Sequence, residues 1–194
     1  MIKFKVVVAG SKNAGKTSLL RRFATGKFAK STLSTIGVDF ETKKVVVDDS
    51  EILLNIWDFA GEKKFRLIFP SYISGASGAL MLYDTTSKDS LNDLNDWIEL
   101  ISSVPNSPKT MIMIETKNDL IRKVEIADAM ELFEKHQFQG ELLSTSSKTG
   151  ENVEKAFEML GREIVKNSLK KCPNCEQLFP LELKFCQYCG SKTS

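Results

Sequence analysis

Two groups of residues in this chain have the types and spacing of chemistry. Gly10 to Thr17 reads GSKNAGKT, which is glycine, four residues, glycine, lysine and threonine. Glycines at 10 and 15 let backbone N–H groups turn inward, and a helix starting behind them offers unpaired amides and the positive end of its dipole to an anion. The pattern is that of a phosphate cradle, in which Lys16 would reach the terminal phosphates of a nucleotide and the Thr17 hydroxyl would hold Mg²⁺. The second group is Cys172, Cys175, Cys186 and Cys189, reading CPNC and CQYC with ten residues between. Paired CxxC units place four thiolates at the spacing of a tetrahedral Zn²⁺ site, and Pro173 and Gly190 suit tight knuckles. Disulfides and a redox CxxC pair are the alternatives. The short interval predicts a minimal hairpin through Phe179 to Phe185, and so small a module would take most of its folding energy from the metal.

The elements that must position these residues follow from the apolar pattern. Lys3 to Ala9 is a β-branched run ending at a glycine, and Thr17 to Thr25 has helical spacing, so the cradle lies between a strand and a helix. Gly26 to Ile36 has neither period and reads as an exposed loop. Val38 to Val47 and Glu51 to Trp57 are strand-like runs separated by Asp48, Asp49 and Ser50, which signals a hairpin. Ala79 to Tyr83 and Thr110 to Glu115 are continuous apolar runs suited to strands covered on both faces. Amphipathic helices are predicted over Ser90 to Ile101, Val124 to His136 and Asn152 to Lys166, with a short strand at Glu141 to Ser144.

Strand and helix thus alternate, which predicts an α/β fold: a six-stranded, mostly parallel, doubly wound sheet with one antiparallel edge strand, followed by a small zinc-ribbon module. The division falls at residues 1–169 and 170–194, with Lys170 and Lys171 as a short hinge. Ligands in such sheets bind at the carboxyl ends of the strands, where the cradle, Asp58, Asp84, Asp119 and Ser146 converge.

A chain of 194 residues, 42% apolar and 27% charged, has the composition of a globular domain with some residues to spare. Its net charge of +2 points to neither bulk nucleic-acid nor anionic-membrane binding. The tail carries Lys184 and Lys192 against Glu176 and Glu182, so nucleic acid is not an expected partner there either. No apolar run approaches the ~20 residues that cross a bilayer, and the first strand follows Met1 too closely for a signal peptide. The expectation is a cytoplasmic monomer.

In order and spacing, the motifs over roughly residues 3 to 168 resemble the Ras-like small GTPases, and within them the Rab branch. The resemblance implies a switch that binds GTP or GDP with Mg²⁺ and hydrolyses GTP. It implies that Lys12, Asn13, Ala14, Gly15, Lys16, Thr17 and Ser18 surround the phosphates, and that Thr35 of STIGVDF joins Thr17 on Mg²⁺ and senses the γ-phosphate. Phe28 would stack on the guanine. In WDFAG, Asp58 would lie one layer out from Mg²⁺ and the Gly61 amide would meet the γ-phosphate. In TKND, Asp119 would accept from the N1–H and 2-amino group of guanine, a donor pair adenine lacks, while the stem of Lys117 packs across the ring. TSSK, with Ser146, Ser147 and Lys148, resembles the turn whose amides and lysine contact the base. Phe40, Trp57 and Tyr72 match the aromatic triad by which Rab-like proteins present their switch surface to effector proteins.

The departures are as informative. Position 62 is Glu where the family usually has the glutamine that orients the attacking water; a carboxylate only accepts hydrogen bonds and brings negative charge toward phosphate, so slow hydrolysis is expected. Lys12 replaces a small residue, and it would either obstruct an incoming arginine or supply a positive charge in cis, partly paired with Glu62. Lys16, Glu62, Gly61 and Thr35 are therefore the expected catalytic set. Thr116, in place of Asn, is expected to weaken a loop-to-loop hydrogen bond. The chain ends CGSKTS without a CaaX box, so no lipid anchor is expected. The alternative reading is a hydrolysis-deficient GTP-binding scaffold whose zinc ribbon recruits a partner protein.

Overall fold

The structure, a computed structural model, describes residues 2–29, 35–48 and 50–193. Residues 30–34 of the loop predicted over Gly26 to Ile36, and Asp49 of the predicted hairpin turn, lie outside them. The order is β1 (Ile2–Ala9), α1 (Lys16–Thr25), β2 (Val38–Val47), β3 (Ser50–Phe59), a 3₁₀ turn (Lys63–Ile68), α2 (Phe69–Ile73), β4 (Gly78–Asp84), α3 (Lys88–Asn92), α4 (Leu94–Ser103), β5 (Thr110–Thr116), α5 (Ile126–Lys135), β6 (Leu143–Ser144) and α6 (Val153–Ser168). The strands line up as β2-β3-β1-β4-β5-β6 in one six-stranded sheet. Only β2 is antiparallel to its neighbour, and β1, β3, β4, β5 and β6 pair in parallel.

The two-residue strand period divides the core between the faces of this sheet. Phe4, Val6 and Val8 of β1, with Leu80 and Leu82 of β4 and Ile112 and Ile114 of β5, face α1 and α6. Val7, Ala9, Met81, Tyr83 and Met113 face the other way, toward α2, α4 and α5. Both faces are covered, so the strands read as unbroken apolar runs.

The structure departs from the sequence reading in three places. The helix expected over Ser90 to Ile101 is α3 plus α4, interrupted at Asp93, whose φ of −65° and ψ of −15° keep the chain in helical direction while its carboxylate turns to partners elsewhere. The strand expected over Glu51 to Trp57 runs on through Asp58 to Phe59, because pairing with β2 continues to Val38 and Phe59. The C-terminal hairpin is not at Phe179 to Phe185. β7 (Leu169–Lys171) pairs antiparallel with β8 (Leu178–Pro180) around the first cysteine pair, and Phe185 bridges Lys192 around the second. Each knuckle closes its own ladder, so Lys170 and Lys171 are strand, not hinge. Leu169 follows α6 directly, and its side chain packs against the core beneath α6.

Candidate functional site

β1 delivers the chain to the glycine loop and α1 carries it away. Gly10 has φ +144°, and a Cβ there would sit 2.2 Å from the Leu82 carbonyl oxygen, so only glycine fits between β1 and β4. Lys16, at the start of α1, is 5% exposed. Its Nζ donates to the carbonyls of Gly10 and Ser11 at 2.8 and 2.7 Å. An ammonium has three donors, so the third remains for an anion in the cavity. Burial lowers the Lys16 pKa to about 8, against the opposing attraction of Asp58 and Asp93.

The cavity beside it has a volume of ≈ 420 Å³ and is lined by Lys12, Asn13, Gly15, Lys16, Thr17, Ser18, Thr35, Gly61, Glu62 and Lys117, with Phe59 and Ala60. Within it, Thr17 Oγ1 donates to Asp58 Oδ2 at 2.6 Å and lies 2.7 Å from Thr35 Oγ1. Asp58 is wholly buried, burial raises its pKa, and its Oδ1 finds no hydrogen-bond partner among the described residues. Two hydroxyls and a buried carboxylate with an orphaned oxygen form an all-oxygen donor set, which suits a hard divalent cation such as Mg²⁺. Opposite them, the backbone of Gly61 lies against the glycine loop so closely that a Cβ would meet the Lys12 nitrogen at 2.1 Å.

Glu62 is held at both ends. Lys64 Nζ approaches its Oε2 at 2.7 Å and Lys12 Nζ donates to its Oε1 at 2.9 Å. These bonds, that from Lys64 foremost, hold the Glu62 pKa down to about 2. The pairing of Lys12 with Glu62 anticipated in the sequence is therefore present, and Lys64 is a second partner that sequence reasoning missed.

A second group of predicted residues gathers at the ends of β4, β5 and β6. Lys117 Nζ bonds Asp84 Oδ2 at 2.6 Å, and its backbone takes φ +61°. Ser146 Oγ donates to Asp119 Oδ1 at 2.6 Å, which is the main cause of a lowered Asp119 pKa; Lys148 stands 3.5 Å from Oδ2. Ala14 is fully buried, and its carbonyl accepts from Thr116 Oγ1 at 2.8 Å. The loop-to-loop bond expected to weaken at Thr116 is thus present, although one hydroxyl proton is shared with the Tyr83 carbonyl at 3.1 Å. Phe28, 38% exposed, and Ser147 lie outside the cavity lining. Lys117 is the residue that joins the cavity to the Asp119 group.

The structure also shows a bridge with no signal in the sequence. Ser11 Oγ donates to Asp93 Oδ2 at 2.7 Å, and Arg66 donates to Asp93 Oδ1 at 2.9 Å and to Asp96 Oδ2 at 3.0 Å. It ties the glycine loop, the 3₁₀ turn and α4 together across distant positions. On the β2 and β3 side, Phe40, Trp57 and Tyr72 stand in a row, with ring centroids 4.8 and 5.1 Å apart.

In the C-terminal module the four cysteine sulfurs lie within 4.8 Å of one another. Cys172 and Cys189 are separated by 3.6 Å, as are Cys175 and Cys186. That is too long for disulfides and close to the ~3.8 Å edge of a tetrahedron with Zn–S bonds of about 2.3 Å. A hydrogen bond between Cys189 Sγ and the Ser191 hydroxyl at 3.3 Å, with the Ser191 amide beside it, holds the Cys189 thiol down to about 5, toward the thiolate a metal needs. Phe179, fully buried, packs against Cys172, Cys175 and Cys186 and forms the small core of the module.

Comparison with known proteins matches residues 5–166 to the Ras family. The chain is 38% identical over 164 residues to the Ras-related protein Rab-1 of Theileria annulata, covering 83% of this chain and 74% of that protein. It is 34% identical over 175 residues to the Ras-related protein RABA5c of Arabidopsis thaliana, covering 89% and 81%. To the Ras-related protein Rab-2B of Dictyostelium discoideum it is 37% identical over 165 residues, covering 84% and 81%. No helix among the described residues is long and apolar enough to cross a membrane.

Proposed function

The chain belongs to the Ras family, with Rab-like relatives, and from that premise we propose that it is a guanine-nucleotide switch that binds GTP and GDP and hydrolyses GTP slowly. The observation that carries this is the convergence of Lys16, Thr17, Thr35 and Gly61 on one cavity at the carboxyl edge of the sheet, with Asp58 buried behind Thr17 and bonded to it. Lys16 places its charge on the β- and γ-phosphates. Thr17 and Thr35 would hold Mg²⁺, with Asp58 behind them, and the ion when bound neutralises charge on those phosphates. Asp119, kept ionised by Ser146, accepts from the guanine edge, with Lys117, Phe28, Ser147 and Lys148 around the base.

In the reaction a water oxygen attacks the γ-phosphorus, the bridging P–O bond to the β-phosphate breaks, and GDP and phosphate leave. The Gly61 amide stabilises the γ-oxygens. Glu62 cannot donate to them, and both its oxygens are occupied by lysines, so water is oriented poorly and turnover is slow. Thr35 and Gly61 carry the nucleotide state to the loops around them, and the row of Phe40, Trp57 and Tyr72 is where effector proteins would read it. Residues 1–169 make this switch, and residues 170–194 make a Zn²⁺ module on the four cysteines that offers a surface to a partner protein.

Purified full chain should release GDP or GTP on denaturation and carry about one zinc per chain. In single-turnover assays Glu62→Gln should hydrolyse GTP at least about 10-fold faster than wild type. Equal rates would sink the impaired-site reading. The triad of Lys12, Glu62 and Lys64 also favours a second reading, a scaffold with no turnover whose zinc module does the recruiting; any measurable hydrolysis by wild type that is lost in Lys16→Ala excludes it.

A further inference from the structure

Beneath the residues assigned to base recognition lies a charged cluster that the phosphate chemistry does not use. Glu115, in β5, is 2% exposed, yet its carboxylate gathers donors from three elements. Tyr83 of β4 donates to Oε2 at 2.6 Å, and Ser144 of β6 donates to Oε1. Arg122, beyond the base loop, grips both oxygens, with Nη1 at 3.1 Å from Oε2 and Nη2 on Oε1. Such a pair is a weak stabiliser, since the cost of burying the Glu115 carboxylate offsets much of its attraction to the partly exposed Arg122. What a bidentate fork does supply is geometry.

The geometry it fixes is that of the base loops. Glu115 and Arg122 stand at the two ends of the segment that carries Lys117 and Asp119, so their fork closes that segment into a ring. Inside it Lys117 sits at φ +61°, a conformation that L-residues hold only when their surroundings impose it. The backbone of Glu115 reaches the other loop, because its carbonyl accepts from Thr145 N at 2.8 Å and Thr145 Oγ1 at 2.9 Å. Thr145 returns a carbonyl to Asn118 N at 3.1 Å and is followed by Ser146, which holds Asp119. Both loops thus rest on one residue.

We propose that Glu115 and Arg122 are positioning residues for guanine recognition, acting through Lys117, Asp119 and Ser146 without touching the base. The proposal rests on the base-binding role given above to Asp119. Inosine diphosphate lacks the 2-amino group of guanine, so the ratio of GDP to IDP affinity reads how well the Asp119 carboxylate is aimed. A loss of general stability would weaken both nucleotides equally and leave that ratio alone.

The experiment compares dissociation of fluorescent GDP and IDP from the full chain in wild type, Arg122→Met and Arg122→Lys. Arg122→Met should release GDP on the order of 10-fold faster, with a smaller change for IDP, as loss of a charge-assisted pair implies. Arg122→Lys, which keeps the charge and loses the fork, should fall between. The same factor for both nucleotides, or no change in either, overturns the proposal. If Arg122→Met does not fold, the GDP to IDP ratio in Arg122→Lys decides by the same rule. A wild type that does not prefer GDP to IDP overturns the base reading and this inference with it, whereas an intact preference in both variants overturns this inference alone.

Discussion

Glu62 carries a signed prediction about pH. Its folded pKa of about 2 lies below the ordinary glutamate value of 4.5, so the contribution of its pairing is complete above pH 4.5 and is lost as pH falls through 2. Glu62 therefore does not titrate in the working range. The hydrolysis rate should show no acid limb between about pH 5 and 7, where a general base tuned to its task would titrate. An acid limb there that vanishes in Glu62→Gln would show that the carboxylate does take the water's proton. Gly10 makes a second prediction at this scale. Gly10→Ala puts a methyl 2.2 Å from the Leu82 carbonyl at φ +144°, and it should lower the stability of the chain by roughly 3 kcal/mol, read from urea midpoints.

Among elements, the bridge from Ser11 through Asp93 and Arg66 to Asp96 holds the 3₁₀ turn on α4. Arg66 also stacks its guanidinium 5.0 Å from the centre of the Trp97 ring. Arg66→Ala should free the turn, so amide hydrogen exchange over residues 61–68 should accelerate by about 10-fold while exchange in β4 and β5 stays put. Unchanged exchange would mean that the aromatic stack of Phe59 and Phe69, 4.5 Å apart, anchors this segment by itself. Thr116 couples β5 to the glycine loop through a single proton. Thr116→Val should cost about 1 kcal/mol of nucleotide affinity by leaving the buried Ala14 carbonyl unmet.

At the scale of the whole molecule, the nucleotide site and the cysteine cluster rest on different cores. The first is built on a two-faced sheet, and the second has little beyond Phe179. Chelation should therefore unfold residues 172–190, seen as loss of their amide protection, and leave GDP binding unchanged. Loss of both would show one cooperative unit in which Leu169, packed on the large core at the head of β7, passes unfolding across.

What the amino-acid order determined is what lies within reach of a few covalent bonds. GSKNAGKT between a strand and a helix, DFAG at the close of a strand, TKND after an apolar run and two CxxC pairs each have a local backbone reason. Their alternation of strand and helix was enough for the sheet and its antiparallel edge. The hairpin in the C-terminal module was misplaced because four thiols constrain spacing but not which backbone segments pair, and the pairs that form are β7 with β8 and Phe185 with Lys192. Lys64 on Glu62, Asp93 between Ser11 and Arg66, and the fork of Arg122 on Glu115 were decided only by tertiary structure. Lys64 is only two residues from Glu62 but shares it with Lys12 from the glycine loop, Asp93 joins side chains from separate segments, and the fork turns on burial against β4 and β6. A charged side chain in a sequence gives no sign of its partner, because the energy that selects one comes from desolvation once the fold has closed around both.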